Sequence, residues 1–132
     1  MSFDLAVWRG ETTVSVKDAA ELYLYLKLCK QEWTSTEWYA SVEAFYVELC
    51  SRYPEIDTLS DDELDQCPWS CAHDRSGHHV LMCLNYGDQL EEVALFVTRL
   101  AARHDLICYD PQEEKVYSPS GLKPKRSRFQ LW

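Results

Sequence analysis

Six side chains able to ligate a metal or attack an electrophile crowd one stretch of the chain. Cys67, Cys71, His73, His78, His79 and Cys83 all fall within seventeen residues. Zinc would need four of them converging tetrahedrally. The spacing C-x3-C-x-H is not that of a zinc knuckle. If the stretch forms a strand pair, alternation sets same-face ligands in a row along the sheet, where they do not surround one ion. Cysteine catalysis needs an exposed thiolate with a base beside it. Cys71 and His73 would share a strand face, which makes a dyad conceivable, yet no helix N-terminus or oxyanion feature neighbours either residue. Asp61-Asp62-Glu63 offers paired carboxylates, but a charge run is ordinarily a solvated face. Gly10, Gly77, Gly87 and Gly121 are scattered and build no phosphate-binding loop. The expectation is of no enzyme, no metal site and no cofactor.

The rest of the composition points toward binding. The chain has 132 residues, enough for one domain with a genuine core, and 46% of them are hydrophobic. Five Trp and eight Tyr are many for this length and can supply contact anchors. Thirteen bases against 22 acids give a net charge of -9, which disfavours nucleic acid and anionic membranes as partners because phosphate neutralisation needs Lys and Arg. Lys123, Lys125, Arg126 and Arg128 all lie in the last twelve residues, so residues 1–120 hold nine bases against the 22 acids and carry -13. A single domain over residues 1–118 with a basic tail over 119–132 follows. No segment has the apolar length of a membrane span, and Met1-Ser2-Phe3-Asp4 lacks the character of a signal peptide, so a cytoplasmic protein with reduced, mostly buried cysteines is expected.

Periodicity supplies the elements that would position these groups. Asp4 to Trp8 reads as a first strand with two apolar faces. Ser15 caps a helix in which Ala19, Leu22, Leu26 and Cys29 repeat through about Gln31, and Tyr23, Leu24 and Tyr25 widen its apolar surface toward coverage on more than one side. Ser35 or Thr36 caps a second helix with the stripe Trp38, Val42, Phe45 and Leu49, ended by Pro54. The two form a helical hairpin or a kinked crossover. Glu55 to Asp65 is an acidic loop, with one helical turn from Ser60, pinned by Ile56, Leu59 and Leu64.

A strand over Cys67 to His73 should place Cys67, Trp69, Cys71 and His73 on one face, with Pro68 at its edge. Asp74 to Gly77 turns the chain into a return strand over His78 to Tyr86. Asp88 and Glu91 resemble a capping box for a helix buried through Leu90, Val93, Ala94, Val97, Leu100 and Ala101. Leu106 to Tyr109 follows as a strand, and Lys115 to Tyr117 as a short edge strand. Strand, helices, strand, strand, helix, strand is the split βαβ pattern of a ferredoxin-like α+β sandwich, an antiparallel sheet with helices on one face.

Three segments carry a resemblance: Phe3-Asp4-Leu5-Ala6-Val7-Trp8, Cys67-Pro68-Trp69-Ser70, and His104 through Gln112. They resemble a family of small acidic bacterial proteins with a YDLAVWEG start, a central PWS segment and a REHGLVCYDPQ close. The chain departs from that pattern at Phe3, at Arg9 where an acid is usual, and at Asp105 where Gly is usual. The resemblance implies an immunity role, in which a protein of the producing cell binds a cognate antibacterial toxin domain and blocks it. No catalytic residue carries over. The expected contact surface is Trp69 and Trp38 as aromatic anchors ringed by Asp57, Asp61, Asp62 and Asp65. The rival expectation is a small cytoplasmic enzyme or ligand sensor using Cys71, His73 or His79 on an open sheet face.

Overall fold

In a computed structural model of the chain, residues 2–28 and 39–119 and the backbone of 123–124 are described. Four strands of the core come in the expected order: β1 (Phe3–Trp8), β3 (Asp74–Arg75), β4 (His79–Leu84) and β5 (Ile107–Asp110), with β6 (Lys115–Tyr117) added at an edge. They form one five-stranded antiparallel sheet ordered β3-β4-β1-β5-β6. This is an α+β sandwich of the ferredoxin-like type. β1 takes the centre because both its faces are apolar. Leu5 and Val7 lie in one core cluster, Ala6 and Trp8 in the other, and all four are almost wholly enclosed.

The larger cluster is covered by α2 (Ala40–Arg52) and α4 (Leu90–Arg103). Val42, Phe45 and Leu49 of α2 and Val93, Val97, Leu100 and Ala101 of α4 meet Leu5, Val7, Met82, Leu84 and Cys108 there. Both stripes are those set by the 3.6-residue period. The first helix, α1 (Val16–Leu28), does something else: Ala19 and Leu26, with Leu22 and Tyr23 beside them, cover Ala6, Trp8, Leu81, Ile107 and Tyr109 on the opposite face. α1 and α2 therefore make neither a hairpin nor one kinked crossover. They lie on opposite sides of the sheet, and α1 adds a second layer to an architecture expected with its helices on one side. Nor is α1 itself covered on several sides. Leu24 and Leu28 lie roughly opposite the Ala19, Leu22 and Leu26 stripe at about 100° per residue, and they face solvent with Tyr25. At its start, Ser15 Oγ accepts the Asp18 N–H at 3.1 Å, as a cap should. The expected caps at Ser35 and Thr36 fall outside the described residues.

Local chemistry moves three other boundaries. The strand expected over Cys67 to His73 shrinks to a single bridge, Trp69 opposite Leu84, followed by β3. Pro68 brings no N–H to a ladder. Between that bridge and the pairing of Asp74 with Leu81, four residues on one side face two on the other, so the segment bulges. Asp74 and Arg75 are consequently paired and the reversal comes at 76–78, where Ser76 N–H donates to His79 O at 2.9 Å. α4 starts at Leu90 with Gln89 as its N-cap, and no capping box with Asp88 forms. Its first turn is taken by a reversal in which Leu90 N–H reaches Gly87 O, and Gln89 Nε2 reaches across to Gln66 O at 2.8 Å. A pairing with no sequence signal joins β2 (Thr12–Thr13) in parallel to β7 (Lys123–Pro124), placing that part of the basic tail against the body. The remainder of 119–132 beyond Pro119 lies outside the described residues.

α4 ends in a Schellman turn. Leu106 N–H donates to Ala101 O at 2.8 Å and Asp105 N–H to Ala102 O at 3.1 Å, with Asp105 at φ 59°. That left-handed backbone is one that Gly adopts without the cost a Cβ brings. Asp105→Gly removes a Cβ clash and is expected to stabilise the fold by about 0.5–1 kcal/mol. Urea unfolding measures it, and a loss of stability would show that Asp105 sits there without strain.

Candidate functional site

The acidic segment after α2 is a built structure. Glu55 opens it, Ile56–Thr58 forms one 3-10 turn, and α3 (Asp61–Leu64) follows. Ser60 caps α3 reciprocally with Glu63, whose Oε1 accepts both the Ser60 N–H and the Ser60 hydroxyl at 2.9 Å. Those bonds hold the Glu63 carboxyl below its usual range. Ile56 and Leu59 pack on the core, whereas Leu64, expected to pin the loop as well, is largely exposed. Asp57, Asp61, Asp62 and Asp65 all face solvent. Among the described residues none of these four enters an ion pair. The result is a ridge of unpaired negative charge on a fixed backbone.

Trp69 is not part of that surface. It is 0% exposed, buried under α2, with its Nε1–H donating to Tyr53 O at 3.2 Å and its ring edge-on to His73 at 4.4 Å. Its pairing with Leu84 turns it to the α2 and α4 face, so it is a core residue and cannot anchor a partner. Trp38, the other expected anchor, lies outside the described residues. What adjoins the ridge instead is a notch of about 380 Å³. Pro54, Leu59 and Pro68 line it with Asp62 and Glu63 at its lip. The ridge offers a recess rather than a protruding aromatic.

Glu55 belongs to the same acidic run, yet the structure draws it inward. Its Oε2 accepts the Tyr46 hydroxyl at 2.7 Å and its Oε1 the His73 backbone N–H at 3.0 Å. Burial, then the bond to Glu55, raises the Tyr46 phenol above its ordinary value. Arg75 closes the group, its guanidinium 3.8 Å from the Tyr46 ring centroid and 3.2 Å from Glu43 Oε2. These contacts lock α2 to the segment leading into β3. Only the placement of Glu55 directly after Pro54, beside apolar Ile56, sets it apart from its neighbours in sequence.

The Cys and His residues scatter. His73 has a fully enclosed side chain whose two ring nitrogens have no hydrogen-bond partner, and desolvation lowers its pKa and keeps it neutral, against the opposing pull of Glu55 and Asp57. His79 is buried on the other face with Nδ1 at 2.9 Å from Ser76 Oγ, and burial pushes its pKa down to about 4. Cys67 and Cys108 are buried, Cys50 and Cys83 half-buried, and Cys71 is exposed, which departs from the expectation of buried thiols. Cys67, Trp69 and His73 gather on the α2 and α4 face as expected, but in the bulge after Trp69 Cys71 turns to the side of Leu81 and Cys83, so no Cys71 and His73 dyad exists. Among the described residues no three His, Cys, Asp or Glu side chains are placed to hold one metal ion. Among the same residues no helix is long and apolar enough to cross a membrane.

The class of protein defined by these observations is an α+β sandwich carrying a rigid acidic ridge. No protein-family profile, curated protein or solved structure matches the chain.

Proposed function

We propose that this chain is an immunity protein, which binds a cognate antibacterial toxin domain in the cytoplasm of the producing cell and blocks it sterically, without catalysis of its own. The observation that carries the reading is the ridge: Asp57, Asp61, Asp62 and Asp65, exposed and without an ion pair among the described residues, held by the Ser60 and Glu63 cap and by Ile56 and Leu59. Fixed like charges raise the rate of encounter with a basic surface and cost no ordering when it arrives. The notch beside them suits an apolar or long aliphatic side chain of the partner, which reverses the arrangement expected with Trp69 as the anchor. An active site for an anionic substrate is basic, and an acidic ridge seated over it excludes that substrate.

The direct test is coexpression with the product of the adjacent gene, followed by copurification and by growth of cells carrying the toxin with and without this chain. A toxin-bearing strain that grows equally well without it would dismiss the role. The ridge has its own test. Replacing Asp57, Asp61, Asp62 and Asp65 together with Asn should slow association by about tenfold or more at low salt and converge with wild type at high salt. Thermal stability should be unchanged, since none of the four enters an ion pair among the described residues. Identical association rates at low salt would remove the ridge from the interface.

A further inference from the structure

Cys71 and Cys83 meet across the bulge that breaks the expected strand. Ser70 stands opposite Cys83, its N–H donating to Cys83 O at 2.9 Å and its hydroxyl reaching the same oxygen at 3.2 Å. Regular pairing from Trp69 and Leu84 would send Cys71 to the α2 and α4 face with Trp69. The two extra residues between that bridge and β3 instead bring Cys71 to the face that carries Leu81 and Cys83. There both thiols line one cavity of about 230 Å³, together with Asp4, Tyr23, Lys27 and Asp74. A disulfide needs Cα atoms about 4.4–6.8 Å apart, and Cys71 is the residue next to Ser70, whose N–H is bonded to Cys83 O across the bridge.

We propose that Cys71 and Cys83 are a peroxide-reactive dithiol, oxidised to an intramolecular disulfide that ties the segment before β3 to β4. The two cysteines have different parts. Cys71 is the exposed sulfur and meets the oxidant. Its thiolate attacks one oxygen of hydrogen peroxide, the O–O bond breaks, and the second oxygen leaves as hydroxide, which the proton released by Cys71 converts to water. Cys71 is then a sulfenic acid. The Cys83 sulfur attacks Cys71 Sγ, the S–O bond breaks, and the sulfenic hydroxyl departs with the Cys83 proton as a second water. Two thiols have lost two electrons and two protons, and one peroxide has become two waters.

The surroundings of Cys83 fit the second part and not the first. Burial, the Cys71 thiol and the Asp4 carboxylate hold it as a thiol, pushed up to about 12. A sulfur kept protonated is a poor first nucleophile, and in the second part Cys83 faces the oxidised Cys71 in the same cavity and gives up its proton to the departing sulfenic hydroxyl. Asp4 is itself fixed, its Oδ1 accepting the Ser2 hydroxyl at 2.8 Å and its Oδ2 the Tyr23 hydroxyl at 3.4 Å. This chemistry is independent of the binding role above.

Fully reduced protein, treated with hydrogen peroxide at a few equivalents, quenched with a maleimide and digested for mass spectrometry, gives the test. The expected product is a Cys71 to Cys83 linked peptide, lighter by two hydrogen masses and restored by dithiothreitol, formed before Cys50, Cys67 or Cys108 is modified. Cys83→Ser should stop at a Cys71 sulfenic acid trapped by dimedone, and Cys71→Ser should leave Cys83 reduced. Recovery of wild-type Cys71 as a higher oxide, as a dimer, or bonded to another cysteine while Cys83 remains a thiol would overturn it. If a Ser variant fails to fold, the wild-type linkage map decides alone.

Discussion

Trp69→Ala is expected to cost about 3–5 kcal/mol, the range for deleting a buried large aromatic, which is a large share of the roughly 5–15 kcal/mol that hold a domain folded. The indole joins three things at once: the bridge to Leu84, the carbonyl of Tyr53 at the end of α2, and the face of His73. Removing it leaves a cavity under α2, the Tyr53 oxygen without the indole donor, and the His73 ring with Tyr46 but without its nearer aromatic neighbour. Trp69→Phe keeps most of the volume and loses the N–H, so it should cost roughly 1–3 kcal/mol. Urea titration of both variants orders them. An Ala variant within about 1 kcal/mol of wild type would deny Trp69 its place in the core, and would reopen the reading of it as a surface anchor.

Mild acid should weaken the fold, and the two buried histidines set the direction. A histidine whose folded pKa lies below its unfolded value binds fewer protons folded than unfolded, so stability falls as pH drops through the unfolded value near 6.5. For His79 the loss continues down to about pH 4, its folded value. That shift corresponds to about 3 kcal/mol lost between about pH 7.5 and pH 4. His73 adds to the loss in the same direction, its ring desolvated beneath Trp69. Its proximity to Glu55, 4.0 Å from Oε1 to Nε2, recovers part of the charge but does not reverse the sign. Unfolding free energies measured at intervals from about pH 7.5 to 4.5, with His79→Gln as the control that flattens the curve, test this. A wild-type stability constant across that interval would refute it.

The elements with strong periodicity are legible in the amino-acid order itself. α4 and the core stripe of α2 follow from spacing alone, and the double-sided β1 follows from its unbroken apolar run. The split βαβ strand order then allows few other arrangements. What the sequence does not carry is the side of the sheet on which α1 lies. An amphipathic stripe says that a helix is covered, and the covering face depends on β1 and β5 offering Ala6, Trp8, Ile107 and Tyr109 as a second core. Residues 67–73 mislead for a different reason. Alternation of Cys67, Trp69, Cys71 and His73 is a strand signal, but Pro68 and two extra residues convert it to a bulge, in which Cys71 leaves the face that the other three share. The ridge is legible as charge and not as shape. Its acids are visible, whereas the inward turn of Glu55 depends on Tyr46, nine residues earlier.

The strand order also bears on synthesis. β1 occupies the middle of the sheet, paired with β4 on one side and β5 on the other. It precedes both partners in the chain, and the later of them ends at Asp110. At translation rates of about 5–20 residues per second, β1 waits roughly 5 to 20 s before its second edge can be paired. The five-stranded sheet is therefore completed only after β5 and β6 have been made. α2 and the acidic segment emerge while β1 still lacks both of its neighbours, and the structure closes only when Ile107–Asp110 arrives to seat beside Ala6, Val7 and Trp8.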